Sequence, residues 1–233
     1  MKKFLLMGFL LALGTVAQSQ VLISLLLGDK LNSPDLEFGL EGGMNFTNIS
    51  GFEDTKELGN FNLGFYFDIR MKNQWFFYTG VQVKSNFGMR NLSEADLEFL
   101  DAEMLNEEGD YSQKTSAFMV PILAKYNFKN HFYVEAGPQL GLVYKGWVEF
   151  TSDNDGREAV VKDYNDDLLN KINAGVALGT GYKLLKGEGW TVGVRYYQGL
   201  SNVFKGRSGS THHSIHLKVN VPIGAGAAKE KKE

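Results

Sequence analysis

The chain has 233 residues with 27 Gly, 4 Pro, 13% aromatic residues and no Cys, and its 24 Lys and Arg against 27 Asp and Glu give a formal charge of −3. The missing thiols exclude disulfides, zinc–thiolate and iron–sulfur sites and thiol catalysis. The slight negative charge, without any basic run interleaved with aromatics, excludes a general nucleic-acid binder.

Lys2 and Lys3 precede the apolar run Phe4 to Leu13, and Ala17-Gln18-Ser19 follows as small-x-small. This is the pattern of a cleavable export signal over residues 1–19, with cleavage before Gln20. The run is too short to span a membrane as a helix, which needs about 20 apolar residues. No later stretch is long and apolar enough either, so a membrane location requires a barrel of strands. Residues 20–33 form a lead segment whose Leu25-Leu26-Leu27 patch is expected to pad the periplasmic end of the barrel.

From Leu36 the apolar residues alternate with polar ones, the period of a strand. The first strand, Leu36 to Phe46, sends Leu36, Phe38, Leu40, Met44 and Phe46 outward and Glu37, Glu41 and Asn45 inward. After a polar loop, Thr47 to Gly59, comes the clearest stretch of the chain, Asn60 to Asn86. Phe61, Leu63, Phe65, Phe67, Ile69 and Met71 share one face, against Asn62, Gly64, Tyr66, Asp68 and Arg70 on the other. Beyond the turn at Lys72 and Asn73, Phe77, Val81, Val83 and Phe87 oppose Tyr78, Gly80, Gln82, Lys84 and Asn86. A hairpin with charges inside and large apolar groups outside suits lipid rather than water.

Asn91 to Gln113 is an acidic loop in which Leu92, Leu97, Leu100 and Met104 have the spacing of a short surface helix. The fourth strand, Thr115 to Asn127, carries Lys125 inward, and Pro121 within it predicts a bulge. A turn at Lys129 and Asn130 leads to the fifth strand, His131 to Tyr144, with Glu135 and Gln139 inward. Lys145 to Leu169 is a second long polar loop. The sixth strand, Ile172 to Lys183, has a thin inner face of Gly175, Ala177, Gly179 and Gly181 that leaves room for large neighbours. Trp190 to Leu200 turns Arg195 and Tyr197 inward, and the last strand, His213 to Ile223, turns in His216, Lys218 and Asn220.

The expected fold is all-β: an eight-stranded antiparallel up-and-down transmembrane β-barrel over residues 34–223, with a charged tail at 224–233. Its connections alternate long and short, as periplasmic turns and extracellular loops do when both strand ends lie inside the envelope. Trp75, Tyr126, Tyr144, Trp147, Tyr182 and Trp190 fall at strand ends and suit interfacial girdles. An eight-stranded interior is just wide enough for side chains to fill. The inward set is Glu37, Glu41, Asp68, Arg70, Gln82, Lys84, Lys125, Glu135, Gln139, Arg195 and Lys218, which holds both signs and is expected to pair across the lumen.

Enzyme signatures are weak. His212 and His213 are placed in an outer loop near Ser208, Ser210 and Ser214 without a spaced partner set, and with His216 they make a poor metal site. Asp153-Asn154-Asp155-Gly156 lacks the first and twelfth carboxylates of a calcium loop, and Gly179-Thr180-Gly181 has no following helix for a dinucleotide. The expectation is a non-enzymatic barrel with no catalytic, metal or cofactor residues. Its partners are outer-membrane lipid and envelope proteins, and no nucleic acid; the sequence leaves the oligomeric state open. A narrow ion path through the lumen and a soluble ligand-binding barrel are the alternatives, the latter opposed by the charged inner faces.

Gly28-Asp29-Lys30-Leu31-Asn32-Ser33, Leu36-Glu37-Phe38-Gly39, Gly42-Gly43-Met44-Asn45, Val120-Pro121-Ile122-Leu123-Ala124-Lys125-Tyr126, Ala136-Gly137-Pro138-Gln139-Leu140-Gly141, Gly179-Thr180-Gly181-Tyr182 and Gly199-Leu200-Ser201-Asn202 resemble the PorT-like, porin-family outer-membrane β-barrel proteins of Bacteroidota, Gram-negative bacteria. The resemblance implies an eight-stranded barrel; PorT itself implies a role in a protein secretion assembly. The chain departs from the family's aromatic C-terminus, since its last strand ends at Val221-Pro222-Ile223 and runs on into the charged tail.

Overall fold

The computed structural model describes residues 33, 35–154 and 157–223. The expected export signal, most of the lead segment and the C-terminal tail lie outside these residues. Nine strands follow one another: β1 (Leu36–Ile49), β2 (Lys56–Lys72), β3 (Trp75–Arg90), β4 (Asp110–Asn127), β5 (Phe132–Asn154), β6 (Arg157–Tyr164), β7 (Ile172–Lys183), β8 (Thr191–Asn202) and β9 (Thr211–Pro222). One helix, α1 (Glu94–Phe99), lies between β3 and β4. All pairings are antiparallel, and eight strands close a ring in the order β1-β2-β3-β4-β5-β7-β8-β9 and back to β1. Closure leaves no strand edge within the ring, so the backbone is paired throughout the apolar belt.

The ninth strand stands outside the ring. The segment expected as a loop from Lys145 continues β5 to Asn154 and returns as β6, pairing from Trp147↔Tyr164 through Thr151↔Val160. This hairpin rises beyond the ring at the end where the long loops lie. It reads as loop because water bathes its outer face, so polar residues occupy positions that lipid would make apolar. β2, β3 and β4 also extend beyond the predicted limits on that side.

Around the ring the alternation puts Met44, Phe61, Leu63, Leu142, Leu178 and Leu217 on the outside, each at least 40% exposed. At the short-turn end aromatics form a girdle. Trp75 meets Tyr126 edge-on at 5.0 Å, Tyr126 meets Phe128 at 4.9 Å, and Phe132 meets Tyr182 at 5.0 Å. Trp147 does not belong to a girdle. It lies on the loop-end hairpin, 8% exposed, with its Nε1–H donating to Glu149.

Two expectations about β3 fail together. Leu63 of β2 faces Lys84 while Gly64 faces Gln82, so one extra residue stands in β3, and the β3–β4 register shifts between Gln82 and Ser85. A bulge of one residue reverses every facing beyond it. Lys84 therefore lies exposed on the outer face, whereas Ser85, Phe87 and Met89 turn inward, Phe87 with no exposure at all. Pro121 carries no bulge: the register runs from Thr79↔Ile122 to Gln82↔Met119 without a shift.

Candidate functional site

The ring turns its polar residues into one shared interior, and that lumen is the candidate site. Its midsection is an ionic quartet drawn from four strands. Arg195 of β8 donates from Nη1 to Glu41 of β1 at 3.1 Å and from Nε to Glu135 of β5 at 2.8 Å. Lys218 of β9 lies 3.4 Å from Glu41 and 3.0 Å from Glu135. Two cations and two anions, all at most 2% exposed, thus balance. Balance matters because an unpaired buried charge costs several kcal/mol.

Neutral groups complete the quartet. Gln82 donates to Glu41 at 2.6 Å, Tyr78 donates its hydroxyl hydrogen to the same carboxylate, and Asn220 donates to the Tyr78 oxygen at 2.8 Å. Arg195 and Lys218 also lie over the Tyr78 ring, 5.0 and 4.4 Å from its centroid. The thin inner face of β7 makes the space. A Cβ on Gly179 would come within 2.7 Å of the Glu135 carboxylate.

Toward the short-turn end a second layer pairs Lys125 with Asp68 at 2.5 Å, beneath the Tyr133 ring. Nearer the rim Glu37 accepts from Tyr66 at 2.8 Å and pairs with Lys183. Here the lumen widens into a vestibule of about 390 Å³ lined by Glu37, Asp68, Arg70, Lys125 and Lys183 among others. Beyond the quartet, toward the loops, the next cavity holds only about 10 Å³, between Asn45, Asn62, Gln139, His212 and His216. That is room for roughly one water molecule.

Above this point the interior becomes apolar. Phe87, Met89 and Ile49 from the barrel wall meet Leu97 and Leu100 of the α1 region, Val148 of β5, and Leu169 and Phe204 from the loops. α1 is started by a capping box in which Ser93 Oγ accepts from the Asp96 N–H and Asp96 accepts from the Ser93 N–H at 3.0 Å. It is not the surface helix its spacing predicts, because Leu97 and Leu100 point into the barrel mouth while Met104 is 50% exposed. Arg207 of the β8–β9 loop closes the top. Its guanidinium lies 3.8 Å from the Phe52 ring centroid and 4.7 Å from that of Phe99, and it donates to the Gly51 carbonyl.

Of the eleven residues expected inward, Glu41, Glu135, Arg195 and Lys218 form the quartet, Gln82 donates to its Glu41, and Asp68 and Lys125 form the layer below. Glu37 stands at the rim, Arg70 is exposed there 3.5 Å from Asp35, and Gln139 lines the one-water cavity. Lys84 lies outside the lumen because of the bulge. Tyr66, Tyr78, Tyr133 and His216 are inward by parity as well, yet they are missing from the expected set, which holds only acidic, basic and glutamine side chains. His212 and His213 belong to β9 rather than a loop. His212 is buried against Phe87, with ring centroids 4.2 Å apart, and His213 lies 3.4 Å from Ser50.

A family model described as outer membrane protein beta-barrel domain matches residues 17–205. No curated protein matches the chain. Among solved structures it is similar to the attachment invasion locus protein Ail of Yersinia pestis, crystallised with the heparin analogue sucrose octasulfate (10% identity, 81% of this chain and 99% of that one, TM-score 0.44). It is also similar to Neisserial surface protein A (13% identity, 81% and 96%, TM-score 0.39) and to OprG of Pseudomonas aeruginosa (13% identity, 81% and 93%, TM-score 0.35).

Proposed function

The chain belongs to the outer membrane protein beta-barrel domain family, and from that premise we propose that it is a non-enzymatic, sealed barrel serving as a structural and partner-binding element of the envelope. The short-turn end is then periplasmic and the long loops are extracellular. One observation carries the reading: the lumen is blocked twice, by the quartet of Glu41, Glu135, Arg195 and Lys218 and by the apolar plug around Phe204. The periplasmic vestibule of about 390 Å³ leads only to the cavity of about 10 Å³, so a solute path would require both blocks to move. With the interior spent on packing, the surfaces left for recognition are the extracellular loops and hairpin.

Purified protein in planar bilayers is expected to show no steady conductance at either polarity, and to migrate differently on gels before and after boiling, as a closed barrel does. Reproducible open channels in the unmodified protein would overturn the sealed reading in favour of a narrow porin.

A further inference from the structure

The β5–β6 hairpin lends Val148 of β5 to the plug, but β6 itself belongs to neither the lumen nor the lipid belt. β6 ends the sheet order and pairs with β5 alone, while the other edge of β5 is taken by β4. The backbone groups that face the open edge follow from one hydrogen bond. Asn165 N–H donates to the Gly146 carbonyl at 3.2 Å, directly across in the register that sets Trp147 opposite Tyr164. Bonded and non-bonded pairs alternate along an antiparallel ladder. Asp163 and Val161 therefore turn their N–H and C=O to β5, and Tyr164, Lys162 and Val160 turn theirs to solvent. Val160, Val161 and Tyr164 are 50%, 45% and 56% exposed.

The face of the hairpin that carries Val161 borders a cavity of about 130 Å³, walled also by Val148, Phe150, Ala102 and Leu105. An open strand edge beside a side-chain pocket has the two parts that strand addition uses: main-chain bonds for affinity and a pocket for alternate side chains. The same cavity is bounded by the β3–β4 loop. That loop exposes Glu94, Glu98, Asp101, Glu103, Glu107, Glu108 and Asp110, and no Lys or Arg occurs from Asn91 to Gln113.

We propose that the open edge of β6 takes up, as an added strand, an extended segment of an envelope partner protein in which an apolar residue is flanked two positions away on either side by basic ones. This deepens the partner-binding reading above and rests on it. Main-chain bonds go to Val160 and Lys162, the apolar side chain enters the pocket beside Val161, and the basic side chains, which share its face through the two-residue period of a strand, meet the acidic loop that walls the same pocket. A second copy of this chain fits less well, because its own edge arrives with the same acidic loop and meets like charge.

The test uses the full chain in lipid nanodiscs and a short fluorescein-labelled peptide of the pattern Lys-Thr-Val-Thr-Lys, read by fluorescence anisotropy. The parent peptide is expected to bind. The same peptide N-methylated on the amides of its edge-facing residues, which keeps the charge and loses the donors, is expected to bind about tenfold more weakly. Val160→Pro removes an outward N–H and no bond to β5, so it is expected to weaken the parent peptide about tenfold while leaving the heat-shift on gels unchanged. The idea is overturned if the parent peptide does not bind. It is equally overturned if the methylated peptide binds as well as the parent, or if Val160→Pro binds as the unmodified protein does; attraction to the acidic loop would then account for everything. Concentration-dependent dimers without peptide, abolished by Val160→Pro, would replace the partner segment with a second copy. Conductance on the same preparations separates the two readings. An open channel removes the sealed barrel, whereas a silent, heat-shifted protein indifferent to these changes removes strand addition alone.

Discussion

The two halves of the lumen solve one problem with opposite chemistry. Both must fill a ring too narrow to leave empty. The periplasmic half fills it with charges that strands deliver by parity, Glu41, Glu135, Arg195 and Lys218 reaching a common centre from four strands. The extracellular half fills it with apolar side chains, many of them delivered by loops, since Leu100, Leu169 and Phe204 all lie outside the ring strands. The difference teaches where each half is vulnerable. The ionic half fails by imbalance and the apolar half by lost volume.

Removing one charge is the harshest way to break the contrast. Arg195→Met leaves Glu41 and Glu135 to Lys218 alone, and a buried pair deprived of one partner typically costs about 3–5 kcal/mol. The urea midpoint for unfolding from vesicles should fall accordingly, and an unchanged midpoint would mean that water reaches the quartet. Leu100→Ala acts on the other half. It should cost about 2–3 kcal/mol, at the low end for a buried leucine because a loop can settle into the gap. Its signature is faster proteolysis of the β3–β4 loop with the heat-shift retained, whereas loss of the closed barrel would show that the plug holds the ring together.

Lys84 sharpens the comparison from outside. It shares inward parity with Gln82 in the sequence, yet lies on the outer face. Lys84→Met should be neutral or slightly stabilising, by up to about 1 kcal/mol for a lysine near the edge of the lipid face, and a loss of the size expected for Arg195→Met would return Lys84 to the lumen. The smallest effect belongs to the hairpin. Burial pushes the Glu149 carboxyl up, but hydrogen bonds from Lys114 and Trp147 and the nearby Lys162 outweigh it and hold the group below its ordinary value. With the folded value depressed, this contribution is present above the ordinary carboxylate range and is lost as pH falls through the folded value. Amide exchange along β6 should therefore quicken below that range, and Glu149→Gln should flatten the response. A pH-independent profile in the unmodified protein would remove Glu149 from the account.

Period two made the ring legible, since lipid outside and charge inside force alternation wherever a strand crosses. Phe61 to Arg70 could be read residue by residue for that reason. Reading failed where the constraint lapses. The bulge near Lys84 shifts parity by one in a stretch, Val83-Lys84-Ser85-Asn86, with no glycine or proline to announce it. β6 was hidden because water, not lipid, covers Val160 and Lys162, so neither face needs to be apolar. The plug was hidden because Leu168-Leu169 and Val203-Phe204 are short apolar pairs in polar loops, too brief for any period, and only the closed ring gives them a place to go. The quartet's members were visible, but parity alone does not say at which height they meet.

The seam between β1 and β9 carries a kinetic consequence. Gly39 pairs with Pro222 and Ile49 with His212, so the ring closes between its first and last strands. Contacts so far apart in sequence form late, after most loop-closure entropy has been lost. The quartet straddles this seam, Glu41 on one side and Lys218 on the other. Without β9 the ring stands open between β1 and β8, and Glu41 lacks the cation that Lys218 lends it. The strand that closes the wall thus also completes the charge balance of the lumen, so closure and neutralisation are one event.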